Sequence, residues 1–480
     1  MLPRDPFPRP APATVDKVRS ALDRALGESK VITSEEGRAR YGGDESEQEP
    51  VVPDAVVLAT SAEDIAATLA VCSDLQVPVT PRAGGTGKSG GAVPVCGGVT
   101  LCTLGMNAIK EINHRELLAV VEPGLVLERL QEAVEAEGLF YPPDPNSQAD
   151  CALGGNIAEN AGGPRALKYG VTRDYVLGLD VLTAEGKRLR TGRRTVKGVT
   201  GYDLTALLTG SEGTLAVTLE ATLRLLRKPD CIVTLLGLFD GVGRCAGAVG
   251  EVIAAGLVPR CLELVDEACL AAMRDEGVAI DQRAGALLIT ELDGDEASCD
   301  ADMMRLGEAL TEAGALDVLV AQDAAQRDRL WATRRELTNV VRKLAKHKIA
   351  EDVVVPRGQV ARLVTDVQAI ADRHGVTMLC FGHAGDGNLH VNTLYDDDGE
   401  VGAVASALDE LFRAVVALGG TLTGEHGVGV SKAEYLPVEQ SAELIAMQRQ
   451  LKALFDPQGI LNPGKIFPRS GHHAMVWGKR

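Results

Sequence analysis

The chain has 480 residues, with 49 Lys+Arg against 67 Asp+Glu and a formal net charge of −18. That length implies two or three domains with ample core, and 45% hydrophobic with 24% charged residues excludes a wholly disordered or collagen-like chain. The acidity argues against a nucleic-acid partner, whose binding rests on phosphate neutralisation by Lys and Arg.

Glycine is the outlier, with 53 residues against ~7% in average usage, so many tight turns or close backbone approaches are required. Ten dispersed cysteines without a CxxC pair read as small buried hydrophobes in a reducing compartment. MLPRDPFPRPAPATV carries prolines where a secretion signal needs an apolar core, and no stretch nears ~18 uninterrupted apolar residues. A cytoplasmic protein without a transmembrane segment is the expectation.

Residues 1–12 read as a loose, proline-rich arm. VVPDAVVLAT (51–60) predicts a strand, and SAEDIAATLAVCSDLQ (61–76) a helix opened by Ser61 with Asp64 three residues on. LLAVVEPG and LVLERLQEAVEAEGL repeat strand and helix over 117–139. After Pro229, segments 232–239, 260–265, 286–292 and 316–321 read as strands separated by helices, including a long one near 323–346. That is the rhythm of helices packed on one antiparallel sheet. A boundary falls near 229, with 431–468 returning to the first domain. The tail PRSGHHAMVWGKR holds His472 and His473, for which a metal role is a minor possibility beside that of tail residues.

PRAGGTGKSGGA (81–92) has three readings. GTGKS resembles the end of a Walker A loop, but Arg82 stands where that pattern needs glycine. Gly85, Gly87 and Gly90 match GxGxxG, but GAVPVCGGVTL, with Pro94, cannot supply the helix that such a loop opens. The third reading is an anion-binding nest of backbone N–H groups, with a purely structural hairpin as the alternative. Further glycine-rich blocks follow at 142–179 and 201–215, where Gly154, Gly155, Gly162 and Gly163, interleaved with Asn156 and Asn160, suit backbone lying flat against a planar ligand.

Taken in order, these blocks, with FDPQGILNPGKIF at 455–467, resemble the FAD-binding domain of the vanillyl-alcohol oxidase superfamily. The fold this implies is α+β: a two-subdomain PCMH-type FAD-binding domain plus a substrate domain on a ferredoxin-like antiparallel sheet. The boundaries are 1–35 for an N-terminal arm and helix, 36–229 for the FAD domain and 230–430 for the substrate domain. Residues 431–468 return to the FAD domain, and 469–480 form the tail. The resemblance assigns FAD contacts to Pro81, Arg82, Ala83, Gly84, Gly85, Thr86, Gly87 and Gly90, then to Pro143, Ser147, Gly154, Gly155, Asn156, Asn160, Gly162, Gly163, Gly213 and Asn462. Ala83 and Lys88 depart from the pattern, which has glycine and an apolar residue there.

In GHAGDGNLHVN (382–392), His383 and His390 flank the turn AGDGN as two hairpin strands would place them, so both imidazoles can face one point. Singly, each also fits an ordinary core or surface histidine. In TGEHGVGVSK (423–432), Glu425 and His426 are adjacent and, if the segment is extended, leave on opposite faces. Two histidines and a carboxylate leave open coordination positions, as in a catalytic metal site. DDDGE (396–400) reads as an acidic turn, not a calcium loop, and His347 and His374 as surface residues.

These segments resemble FAD-dependent D-2-hydroxy acid dehydrogenases, the group of D-lactate dehydrogenase, the glycolate oxidase flavin subunit and D-2-hydroxyglutarate dehydrogenase. The resemblance implies a divalent metal, zinc or manganese, on His383, His390 and Glu425, with His426 as the base. Asn388 and Asn392 orient substrate or ligands. In WATRRELTN, Arg334 is the candidate clamp for the substrate carboxylate, with Thr338 one turn on. Lys348 is a second candidate, equally readable as a surface lysine. The implied electron acceptor is a quinone, cytochrome or electron-transfer flavoprotein, which would place the protein at the membrane periphery, as a homodimer or as a subunit of an oxidase complex. The alternatives are an oxidase using oxygen, a P-loop nucleotide hydrolase and a non-catalytic subunit.

Overall fold

The computed structural model describes residues 7–469 and, within helix Ala324–Lys343, all side chains but those of residues 332, 333, 336 and 338. The chain forms two compact units that exchange segments. One comprises Gly162–Gly170 and Pro229–Gly424; the other comprises the chain up to Ala161, Val171–Lys228 and the chain from Glu425 onward. Relative to the boundaries read at 36–229 and 431–468, residues 162–170 fall in the other unit and the return starts six residues earlier. Asp293 anchors the excursion, its carboxylate accepting from Lys168 Nζ at 2.5 Å and Tyr169 Oη at 2.8 Å.

Among the described residues, the unit that contains the N-terminal helix holds two larger sheets and a two-stranded one, Leu139–Phe140 with Leu226–Arg227. Its first runs Val31–Ile32, Ala55–Leu58, Val99–Cys102, Val79–Arg82, the last three parallel. Those parallel strands are largely buried, which is why AVVL and VTLC read as apolar runs without alternation. Helices Pro12–Leu26 and Ala62–Leu75 cover them, Val18 and Leu22 joining Ile65, Leu69 and Leu101 in one core. Ser61 caps the second helix, accepting from Asp64 N at 3.3 Å. The arm read as loose is anchored at Arg9, which donates to Val52 O at 2.8 Å and to Asp54 at 3.0 Å. The second sheet is antiparallel: Ile109–Asn113, Leu118–Val121, Val217–Arg224, Val176–Leu182, Arg188–Gly192. Near the C-terminus, Val79 N donates to Ile460 O at 2.8 Å and Asn462 N to Val79 O at 2.7 Å, so residues 460–462 run beside the first sheet.

The other unit is built on a seven-stranded sheet in the order Asp317–Val320, Cys231–Phe239, Ala286–Gly294, Cys261–Val265, Thr377–His383, Asn388–Tyr395, His347–Val354. Every neighbouring pair is antiparallel. Residues directly opposite on antiparallel strands share a face. Glu263 pairs with His383 and His383 with Asn388; Asp352 pairs with His390 and His390 with Phe381; Ala350 pairs with Asn392. The period of two along each strand then puts Glu263, His383, Asn388, His390, Asn392, Asp352 and Lys348 on one face. The same face also carries an apolar core, in which Val265, Leu287, Ile289, Leu379 and Phe381 pack with Leu337 and Val341 of helix Ala324–Lys343 and Leu270 of helix Glu267–Asp275. The polar residues gather beside that core.

Candidate functional site

Residues His383 and His390 are brought together by the tight hairpin Thr377–His383/Asn388–Tyr395. Gly387 makes the turn possible: its φ is +88°, and a Cβ there would lie 2.0 Å from Val355 O. The two imidazoles meet edge to face with centroids 5.2 Å apart, one ring nitrogen of each within 4.8 Å of the other.

Behind His383 lies Glu263, fully buried. Its Oε1 hydrogen-bonds to His383 Nδ1, and its Oε2 accepts from Arg334 Nε at 2.9 Å and Nη2 at 2.7 Å. Arg334 is itself buried, with its guanidinium 4.8 Å from the centre of the Phe381 ring. Burial alone would push the Glu263 carboxyl up, but the charges of His383 and Arg334 override it and hold the group well below the usual range. With Nδ1 bonded to Glu263, metal ligation by His383 would fall to Nε2. Paired imidazoles, one oriented by a carboxylate, suit a borderline cation such as zinc.

Glu263 is the residue that sequence reasoning missed. Its signal was a lone acid inside the apolar strand CLELV, since a buried charge must be paired. Asp352 carries the same signal in AEDVVV; fully buried, it accepts from Thr423 Oγ1 at 2.9 Å and Gly424 N at 2.8 Å, which fixes the chain just before Glu425. Asn388 Nδ2 donates to Val353 O at 3.2 Å and Asn392 Nδ2 to His390 O at 3.2 Å. Among the described residues, the buried Oδ1 of Asn392 has no partner. Lys348 sits opposite Leu394, and Arg335 is exposed. The side chain of Thr338 lies outside the described residues.

Glu425 and His426 open the return to the other unit. The segment is a bend, not the extended strand that would send the two side chains to opposite faces, and His426 Nε2 lies 3.8 Å from Glu425 Oε1. The next turn is pinned by Glu212, a third residue not singled out from the sequence. Its buried carboxylate accepts from Val428 N and Gly429 N, both at 2.7 Å, and burial pushes its pKa up.

Most of the residues expected around the flavin belong to the same unit as Glu425 and His426. Pro81 and Arg82 end the strand Val79–Arg82, and Arg82 Nη1 donates to Gly43 O at 2.5 Å. The loop from Ala83 through Gly90 leads to strand Val99–Cys102 with no helix between, which overturns the P-loop reading. Among the described residues, the N–H groups of Gly84, Gly85, Thr86 and Gly87 donate to no protein acceptor, and a Cβ on Gly87 would meet nothing closer than 3.8 Å. Such a row fits the pyrophosphate of FAD. Ala83 has no positive φ, and Lys88 pairs with Glu45 at 3.1 Å.

Gly154, Gly155 and Asn156 lie in helix Leu153–Glu159, so this backbone is helical where a flat approach to a ligand was expected. Gly154 is there for packing, since a Cβ would sit 2.8 Å from Pro123 Cβ; Gly155 is more open. Asn156 Nδ2 and Asn462 Oδ1 are buried without a partner among the described residues, a donor and an acceptor that a flavin ring could use. Asn160 accepts from Arg173 N at 2.8 Å, Pro143 O accepts from Gln131 Nε2 at 2.9 Å, and Ser147 O accepts from Cys151 N at 2.8 Å. A Cβ on Gly213 would lie 3.5 Å from Pro81. Gly162 and Gly163 belong to the excursion, in the other unit.

The remaining motifs have local roles. The Glu400 carboxylate accepts from Asp396 N and Asp397 N, both at 2.9 Å, closing the acidic turn on itself. His347 stacks on Tyr395 at 4.8 Å and His374 bonds to Glu410 at 2.7 Å, so neither is a bare surface group. His472 and His473 lie outside the described residues. Among the described residues, no helix is long and apolar enough to cross a membrane.

Residues 53–192 match the family described as FAD binding domain, and residues 228–466 the family of FAD linked oxidases, C-terminal domain. The chain is 40% identical to the glycolate oxidase subunit GlcD of Bacillus subtilis, over 96% of this chain and 98% of that protein. It is 34% identical to a D-lactate dehydrogenase of Anaerostipes hadrus (86% and 89% covered) and 33% identical to a D-2-hydroxyglutarate dehydrogenase of Stutzerimonas stutzeri (95% and 99%). The fold is shared with the 4-ethylphenol oxidase of Gulosibacter chungangensis at a TM-score of 0.79 and 20% identity, covering 96% of this chain and 99% of that one. Sequence and fold thus agree that the chain belongs to the FAD-linked oxidoreductases that join an FAD-binding domain to the FAD-linked oxidase C-terminal domain.

Proposed function

We propose that the protein oxidises a small D-2-hydroxy acid, of the class of D-lactate, glycolate or D-2-hydroxyglutarate, to the 2-oxo acid. The observation that carries this reading is the arrangement around Glu263, where one buried carboxylate joins an imidazole able to ligate a metal to a guanidinium able to bind a carboxylate. A 2-hydroxy acid presents those two needs on neighbouring carbons, and the names of the three relatives fall in the same substrate class.

When bound, FAD supplies the two-electron acceptor for the C2 hydride, and a divalent cation, zinc or manganese, supplies a Lewis acid for the hydroxyl. His383, His390 and Glu425 hold the cation. His426 takes the hydroxyl proton, a task suited to a neutral imidazole. Arg334 binds the substrate carboxylate through the guanidinium edge not turned to Glu263, and Thr338, Lys348 and Asn392 complete the polar contacts. The electron acceptor is a quinone, cytochrome or electron-transfer flavoprotein, and the chain works as a homodimer or as one subunit of a larger oxidase.

An anaerobic screen of D- and L-2-hydroxy acids tests this. Bleaching of the flavin band by D acids and not by their L forms is expected; no bleaching by any 2-hydroxy acid would overturn the reading.

A further inference from the structure

We infer that Glu263 is a positioning residue that holds His383 with Nδ1 turned to the carboxylate and Nε2 turned to a metal, with Arg334 as the lock that holds Glu263 in place. The inference rests on the metal site proposed above and adds to it a group that touches neither substrate nor metal. Three observations converge on it. The strand register sets Glu263 opposite His383. Helix Ala324–Lys343 brings Arg334 onto the other carboxylate oxygen. Glu263 is fully buried with one oxygen on His383 and the other on Arg334, so the carboxylate has a single fixed orientation. A carboxylate oxygen accepts hydrogen bonds, so in the neutral imidazole that metal ligation requires the proton sits on His383 Nδ1 and the lone pair falls on Nε2.

Glutamine at this position makes the test sharp, because it offers one acceptor and one donor where glutamate offers two acceptors. If its oxygen stays on Arg334, its NH2 faces His383 Nδ1 and drives the proton to Nε2. If it turns the other way, its NH2 faces the Arg334 donors. Either orientation spoils one contact.

The probe is Zn(II) alone, titrated into FAD-loaded protein freed of metal by a chelator, in competition with a chromophoric chelator. Glu263→Gln should weaken Zn(II) binding by about 10–100-fold, and Glu263→Asp, which keeps the charge, should recover part of the loss. The visible flavin band of each variant reports that its FAD site is intact. Tight wild-type binding with Glu263→Gln within twofold of it overturns the role of Glu263 and leaves the metal site standing. No tight Zn(II) site in the wild type overturns the metal reading and this role together.

Discussion

Arg334 places Nε at 2.9 Å and Nη2 at 2.7 Å from one oxygen of Glu263, both side chains being buried in the same unit. The pair therefore bears on stability as well as on substrate binding. Breaking a buried ion pair by removing one partner leaves the other charge uncompensated, at about 3–5 kcal/mol. Arg334→Met is expected to lower unfolding stability by that order in urea melts and to raise KM for the hydroxy acid. The substrate contact adds a loss in kcat/KM equivalent to about 2–5 kcal/mol. Unchanged kcat/KM beside reduced stability would leave Arg334 as a structural partner of Glu263 only.

A second buried carboxylate, Asp64, sets a pH dependence of its own. Asp64 accepts from Lys30 Nζ at 2.7 Å and from the N–H and hydroxyl of Thr60 at 2.9 Å each. Burial pushes its pKa up, but these contacts outweigh it and hold it below the ordinary value. A depressed folded-state pKa means that the contribution to stability is present above the unfolded value of ~3.9 and is lost as pH falls through the lowered folded value. Asp64→Asn should cost about 1–3 kcal/mol at pH 7. The difference from wild type should shrink in urea melts taken from pH 5 towards pH 3; a difference that stays constant with pH would remove Asp64 from the acid response.

The sequence made the strands and helices legible wherever one period dominated. The helix capped by Ser61 and the strands after Pro229 fall where apolar spacing and caps place them. The histidine hairpin was legible because its two strands flank a turn that only glycine can make. The glycine-rich block at 154–156 was misread as flat because glycine signals close approach without saying to what; Gly154 approaches Pro123. Glu263 and Glu212 escaped notice because each is a lone acid without a motif, and its meaning depends on a register or a return of the chain more than 100 residues away.

Removal of the cation should separate its role from that of FAD. Dialysis against a strong chelator is expected to abolish turnover with the hydroxy acid while the flavin band persists, and zinc or manganese should restore it. His390→Ala should behave as the chelated protein does and resist rescue. Full turnover after chelation, with metal content verified by atomic absorption, would exclude a divalent ion from the reaction.

The role proposed for His426 has its own signature. Its loop is fixed by Glu212 through Val428 N and Gly429 N, so the imidazole sits on a short, braced segment. A neutral imidazole is needed to accept the substrate proton. As its protonated fraction grows towards acid, kcat/KM should fall about tenfold per pH unit, and it should level off where the imidazole is neutral. Removing the base should cost about 10²–10⁴ in the rate of flavin reduction. The surrounding charge makes the variant informative, because a net charge of −18 does nothing to concentrate an anionic acid and would leave capture to the groups proposed for it, Arg334, Lys348 and a metal. His426→Gln should therefore keep substrate affinity close to wild type, keep the visible flavin spectrum and lose the pH dependence along with the rate. Stopped-flow reduction that stays fast in His426→Gln, with the acid limb intact, would assign the proton to another group.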